Sequence, residues 1–303
     1  MLHLSTRVRT AILSTLDTAT AVDGGPTTEQ SGLLGALASH VLQALPDAAS
    51  VITPTDAAAV IEEPWLRRAV GEMLVTLELV RHPASAALTA RVAEYLAAFQ
   101  IEDGFQKLAV DYLMQDRELV QKDWERVRQT DFVEPFTEGL DADSLERKMD
   151  GLGDLPPDSL GYALFEFYRR NGFPWISHED QSNLISHDLT HVLAGYATTP
   201  PGEIALQGFL VGATRGERYF SSLLASLLLF EVGMLPFPDI EPIENTLAQP
   251  EAAELFARAI ERGLHCPGDI GEDHQRFLDK PLAQVRTELG IPEPEPGPHM
   301  FIP

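Results

Sequence analysis

Apolar residues in this chain recur at three- and four-residue intervals almost from end to end, and no stretch alternates apolar with polar residues in the manner of a strand. Helices bury such a pattern along one face, so the expected class is all-α. The signals at element ends agree. Thr27 followed by Gln30 has the spacing of a capping box ahead of Leu33, Leu34, Leu37, Val41 and Leu42. Pro54, Pro64 and Pro83 stand where first helical turns would open, positions at which a missing N–H costs little. From Phe105 to Val127, Leu108, Tyr112, Leu119 and Trp124 keep helical spacing, which predicts one long helix.

At 303 residues the chain has the length of about two domains. The stretch from Thr130 to Pro157 is rich in proline, glycine and acidic residues. It divides the chain into an N-terminal helical domain (1–130), a linker (131–150) and a C-terminal helical domain (151–291). Residues 292–303 are Pro-rich and read as a tail without regular structure. A formal charge of −24 repels phosphate backbones, so nucleic acid is not an expected partner. The lone cysteine, Cys266, cannot form an internal disulfide and reads as a small buried hydrophobe in a reducing cytoplasm. The apolar stretch after Arg7 and Arg9 is too short, before Asp17, for a signal-peptide core. Cytoplasmic localisation is therefore expected, with peripheral membrane contact left open. Tyr219 to Phe237 nearly has the length of a membrane span and carries one charge, Glu231. A mid-helix carboxylate is costly in lipid, so the stretch reads as a core helix.

The most informative string is His187-Asp188-Leu189-Thr190-His191, then eleven residues, then Glu203. With Ser177 as N-cap, a helix would run to about Tyr196. His187 and His191 then lie one turn apart on one face, and Asp188 borders it. Thr198 to Gly202, with two prolines and a glycine, would end that helix and reverse the chain. Glu203 would open a second helix, Ile204 to Val211, and return to the histidine face. A bare His-x-x-x-His pair is also a common core arrangement; Asp188 and Glu203 tilt the reading towards metal ligation. Two nitrogen and two oxygen ligands suit Zn²⁺ first, with Fe(II), Mn²⁺ or Mg²⁺ as further candidates. Without a thiolate the set suits an open site, capable of Lewis-acid chemistry, with Glu203 as ligand and proton acceptor.

The spacing His187-Asp188-x-x-His191-x(11)-Glu203, with Gly202 before the glutamate, resembles the signature of the ubiquinone (coenzyme Q) biosynthesis protein 4 family. Leu155 to Gly161 and Pro281 to Ile291, with Arg286 and Leu289, are similar to two further stretches of that family, although Ser159 stands where threonine is usual and Asp158 where glycine is usual. The likeness covers residues 150 to 291. It implies a metal-dependent enzyme acting at the ring of a prenylated aromatic precursor, by loss of a carboxyl and entry of oxygen. It also implies contact with other quinone-biosynthesis enzymes, and a homodimer is a candidate assembly. The apolar helix Tyr219 to Leu235 would offer a wall for an isoprenoid tail, with Phe209, Leu223, Leu227 and Phe230 lining a cavity beside the metal. Two alternatives stand beside this reading. One is a non-catalytic isoprenoid-binding scaffold with a structural metal. The other is a His-Asp phosphohydrolase, which wants another histidine well upstream, and His178 is too close to His187 to serve. His178 and His274 read as surface residues.

In the N-terminal half, Ala19 to Gly24 followed by Glu29 resembles the tellurite-resistance TerB-like helical domain over residues 5 to 125. That resemblance implies a sensing or docking module. Asp23-Gly24 has a plain structural reading as a turn, against which metal ligation by Asp23 and Glu29 is the alternative.

Overall fold

A computed structural model of the chain describes residues 4–45, 49–102, 104–127, 141–173, 185–214, 217–236, 240–267, 270 and 274–303. Among these residues the fold is all-α, with isolated bridges and no strands. The first part of the chain forms α1 (Thr6–Thr20), α2 (Thr28–Ala36), a π-helical continuation Leu37–Leu42, α3 (Pro54–Val60), α4 (Pro64–Leu79), α5 (Ala86–Phe99), α6 (Gln106–Leu113) and α7 (Arg117–Val127). The second part forms α8 (Ala142–Gly151), α9 (Leu160–Asn171), α10 (Ile185–Ala194), α11 (Pro200–Ala213), α12 (Glu217–Phe230), α13 (Ala252–Leu264) and α14 (Leu282–Leu289).

Several caps are those the sequence predicts. Thr27 and Gln30 form the reciprocal capping box of α2, and Pro54 and Pro64 sit in the first turns of α3 and α4. Others differ. The expected single helix from Phe105 to Val127 is two helices, because Gln115 takes a left-handed φ of 55° and Asp116 accepts from the Leu119 N–H to start α7. Pro83 does not open α5; Ser85 does, accepting from Leu88 N at 3.1 Å. The helix expected to reach Leu235 ends at Phe230, so Glu231 lies just past its end rather than within it. Its carboxylate is fully buried and takes the Leu247 N–H at 2.7 Å and His82 Nε2 at 3.1 Å. No helix among the described residues is long and apolar enough to cross a membrane.

Two hydrophobic cores form. The first gathers α1 to α7 but also takes Ile204 of α11, the apolar face of α12, and Ala252, Phe256 and Ile260 of α13. The second is built from α8 to α11, Leu255 and Ala259 of α13, α14 and Phe301. Side chains from both sides of the expected linker thus share the first core. Residues 131–140 of that linker lie outside the described residues, and 142–151 are α8. The cores meet where α11 crosses α13 with the backbones almost touching. A Cβ on Gly212 would collide with the Ile260 carbonyl, and one on Gly263 with the Phe209 carbonyl. Glycine is the residue that permits such an approach.

The Pro-rich C-terminal stretch has no regular structure, as expected, yet it is pinned. Ala197 N donates to His299 O and Phe301 N to Gly195 O, each at 2.9 Å. Phe301 is buried against Phe167, with ring centroids 5.0 Å apart. The chain end is therefore strapped to the segment that follows α10.

Candidate metal centre

Helix α10 carries His187, Asp188 and His191. Its proposed start at Ser177, with Asp180 and His178, lies outside the described residues. Thr199 N-caps α11, and Pro200 and Pro201 occupy the first turn, so the prolines that stop one helix begin the next. Gly202 is required by the tightness of this reversal, since a Cβ there would strike the Ala197 carbonyl oxygen. Glu203 follows at the fourth position of α11 and faces back to α10.

His187, His191 and Glu203 each offer a ligand atom, and these atoms lie within 4.8 Å of one another. The two Nε2 atoms are 3.1 Å apart. His187 Nε2 is 3.4 Å from Glu203 Oε2, and His191 Nε2 is 3.3 Å from Glu203 Oε1. His191 is fully buried, stacked on Phe167, and its Nδ1 meets the Tyr196 carbonyl at 3.0 Å. That contact requires a proton on Nδ1, so in the neutral ring the lone pair is on Nε2. The donors fit a divalent ion. Metal–nitrogen bonds of about 2.0–2.1 Å put neighbouring ligand nitrogens about 3–3.4 Å apart, which is the spacing seen. His187 keeps 30% of its side-chain exposure, so the cluster is reachable from solvent.

Asp188 stands beside this group, not in it. Its Oδ2 accepts from the Tyr168 hydroxyl at 2.5 Å, and the residue is buried. Burial pushes its carboxyl up to about 6, against the pull of His187, Tyr168 and His191. Glu203 behaves oppositely: burial would raise it, but His191 and His187 hold it well below the usual carboxylate range. Burial works against the His187 imidazolium, yet the Glu203 hydrogen bond and charge, with Asp188, raise its pKa overall. His187 and Glu203 thus favour each other's charged forms, and a bound cation would take the place of the imidazolium proton.

The expected lining residues divide between the two cores. Phe209 belongs to the second core, beneath the Arg262 guanidinium, while Leu223, Leu227 and Phe230 belong to the first. A cavity of about 270 Å³ between α4 and α12–α13 is lined by Leu223 with Trp65, Met73 and Phe220. A larger one of about 510 Å³ lies between α13 and the C-terminal strap, with Tyr196, Arg258, Arg262 and Met300 in its wall. His187, His191 and Glu203 line neither.

Sequence reasoning marked Arg286 only as part of a family-like stretch and did not reach its task as a support. Arg286, only 6% exposed, donates from Nε to Leu193 O at 3.0 Å and from Nη2 to Val192 O at 3.1 Å. It therefore satisfies the last carbonyls of the helix that carries both histidines. Arg262 adds a bond to Ala194 O at 2.6 Å. The stretches 155–161 and 281–291 meet at an isolated bridge between Ser159 and Pro281, with Leu282 N donating to Asp158 O and Leu160 N to the preceding Lys280 O. Ser159 N-caps α9, a task that a hydroxyl of serine or threonine performs alike. In the N-terminal half, Asp23 accepts from the Ser85 hydroxyl at 2.5 Å, which gives the Asp-Gly turn a structural task. Neither Asp23 nor Glu29 joins a metal-competent group among the described residues. Cys266 is half-buried and its thiol is pushed up to about 11, chiefly by burial.

The chain matches no protein-family model and no curated protein. Among solved structures it is similar to a protein of Nostoc punctiforme called a "putative ubiquinone biosynthesis protein", at 20% identity and a TM-score of 0.34, over 74% of this chain and 97% of that chain. An overlap that loose supports no argument about shape or chemistry.

Proposed function

We propose that His187, His191 and Glu203 hold a divalent cation, Zn²⁺ in the first place with Fe(II), Mn²⁺ or Mg²⁺ as alternatives, and that the protein acts on a prenylated aromatic precursor in quinone biosynthesis. The observation that carries the metal reading is the convergence of two imidazole Nε2 atoms and both oxygens of one carboxylate, with the His191 proton fixed on the far side of its ring. The motif resemblance over residues 150 to 291 supports the substrate class. When bound, the ion supplies Lewis acidity at an oxygen of the substrate. The protein's own groups do the rest. Asp188, held by Tyr168, keeps a second buried carboxyl next to the histidines. His187, the exposed member, marks the side from which substrate arrives.

The test is elemental analysis of protein purified without added metal, alongside His191→Ala. The expected result is one divalent ion per chain in the wild type and none in the variant. Equal metal in both would remove His191 from the site. Quinone production in a complementation assay then tests the substrate class: loss with Glu203→Gln despite retained metal supports catalysis, and full production favours a scaffold.

A further inference from the structure

The C-terminal strap touches both arms of the hairpin that carries the candidate ligands. On the α10 side, Phe301 N donates to Gly195 O at 2.9 Å, and the Phe301 ring meets Phe167 edge-on at 5.0 Å. Phe167 in turn stacks on the His191 imidazole, with ring centroids 5.5 Å apart. A column of three rings therefore runs from the strap to a buried ligand. The fit at the end of α10 is close, since a Cβ on Gly195 would collide with Pro294. On the α11 side, His299 Nδ1 lies 2.9 Å from Thr199 Oγ1, and His299 O takes the Ala197 N–H at 2.9 Å. Thr199 is the N-cap of α11, four residues before Glu203. Between the two arms stands Tyr196, whose carbonyl takes the His191 Nδ1–H.

The strap's own hold rests on few points. It has no regular structure, and Phe301 is the one buried residue among 292–303. Its middle, Pro296 to Pro298, is exposed and borders the cavity of about 510 Å³ over α13. Segments with few buried apolar contacts open locally, at a lower free energy than global unfolding.

We propose that the strap is a latch on the candidate metal centre, with Phe301 as its positioning residue. Docked, it holds the His191 ring through Phe167 and the start of α11 through Thr199, so the ligands keep their spacing. Released, it leaves both arms of the hairpin less constrained, and the ion is bound more weakly. Coupling of this kind is reciprocal, so a bound ion in turn holds the strap down. The proposal rests on the metal reading above and adds to it a control over affinity from outside the ligand set. It involves no covalent step.

The test uses the full chain and Zn²⁺. Zinc is first titrated into the wild type by calorimetry. Amide hydrogen exchange is then followed with and without saturating zinc at Phe301 and Ala197, the two amides that bond between strap and hairpin. Zinc should slow both by about tenfold, within the usual range of coupling between sites. Phe301→Ala removes the ring and keeps the backbone. It should bind zinc about tenfold more weakly, as for changes behind a ligand. A strap that only holds the fold would lower the melting temperature of Phe301→Ala while its zinc affinity, and the exchange of both wild-type amides, stayed unmoved by the other. That result overturns the proposal. If Phe301→Ala does not fold, exchange in the wild type decides alone: slowed amides uphold the latch, and amides indifferent to zinc overturn it. A wild type that takes up no zinc overturns the metal reading, and the latch with it, at the first titration.

Discussion

The Nδ1–H of His191 donates to the Tyr196 carbonyl across 3.0 Å, and this one bond decides which face of the imidazole is left for the cluster. Tyr196 lies past the end of α10, in the segment to which the C-terminal strap is bonded. The orientation of this buried imidazole is thus set by backbone that the C-terminal strap is bonded to. Such outer partners typically govern metal affinity by 10- to 100-fold. Saturating the wild type with Zn²⁺ at about a hundredfold excess over its dissociation constant should add about 2.7 kcal/mol of stability. His191→Ala should gain nothing from the same addition. Thermal melts with and without the ion check this, and an equal gain in both proteins would argue against ligation by His191.

Tyr168 and Asp188 lead to a prediction of a different kind. Because Asp188 is bonded to Tyr168 and is not among the three converging ligands, Tyr168→Phe and Asp188→Asn should both retain the ion. Each should bind it about 10- to 100-fold more weakly, as for changes behind a ligand. Isothermal titration with Zn²⁺ measures this directly. Complete loss of binding in Asp188→Asn would promote Asp188 to a ligand.

Arg286 is the support whose removal should be felt most. It caps two carbonyls at the end of α10 from within the second core. Lysine cannot reproduce the planar fork. Arg286→Lys should lower stability by about 1–3 kcal/mol through the carbonyls left unpaired, and should weaken metal binding as α10 loosens. Denaturant melts together with zinc titration separate the two effects. An unchanged midpoint would mean that water replaces the guanidinium.

How much of this could be read from the sequence depends on the range of the interaction. The capping box at Thr27 and Gln30 and the proline starts at Pro54 and Pro64 are local, so a few residues suffice to place them. The same holds for the turn-by-turn spacing of His187 and His191, and the reversal through Gly202 that returns Glu203 is only one loop long. The division of Phe209, Leu223, Leu227 and Phe230 between the two cores was not legible, because helical spacing says which residues share a face, not what that face meets. Phe209 faces the second core and the other three the first. Arg286 was equally out of reach, since its partners are 93 and 94 residues away in the chain. Glu231 was placed mid-helix because the apolar run continues past it to Leu235; Gly233, which takes a left-handed φ of 69°, is the local signal that α12 ends earlier.

Glu231 ties the two parts of the chain together, accepting from His82 Nε2 across 149 residues and from Leu247 N within its own loop. It is fully buried. Removing one member of a buried pair typically costs about 3–5 kcal/mol, so Glu231→Ala should be strongly destabilising. Glu231→Gln keeps an acceptor for Leu247 N and should lose less. Urea midpoints rank the two variants, and equal midpoints would mean that the charge facing His82 contributes nothing.

Glu78 is where a pH dependence should be visible. It lies on α4, is 3% exposed, and neither carboxylate oxygen has a hydrogen-bond partner among the described residues. Burial raises its pKa well above the ordinary value, and the Gln106 amide beside it donates to the Thr89 carbonyl instead. The folded state therefore holds this proton more tightly than the unfolded chain does. The resulting stability is fully present below the unfolded value, about 4.3, and is lost as pH rises through the folded value. Glu78→Leu removes the group that must give up its proton in an apolar setting. At pH 4 the variant and the wild type should have similar stability. By pH 8 the variant should be the more stable, by about 1–3 kcal/mol, the cost of an unsatisfied buried polar group. Melting curves taken at intervals between these values give the gap directly. Two curves that run parallel across the whole range would show that Glu78 does not change its proton affinity on folding, and that some other contact compensates for its burial.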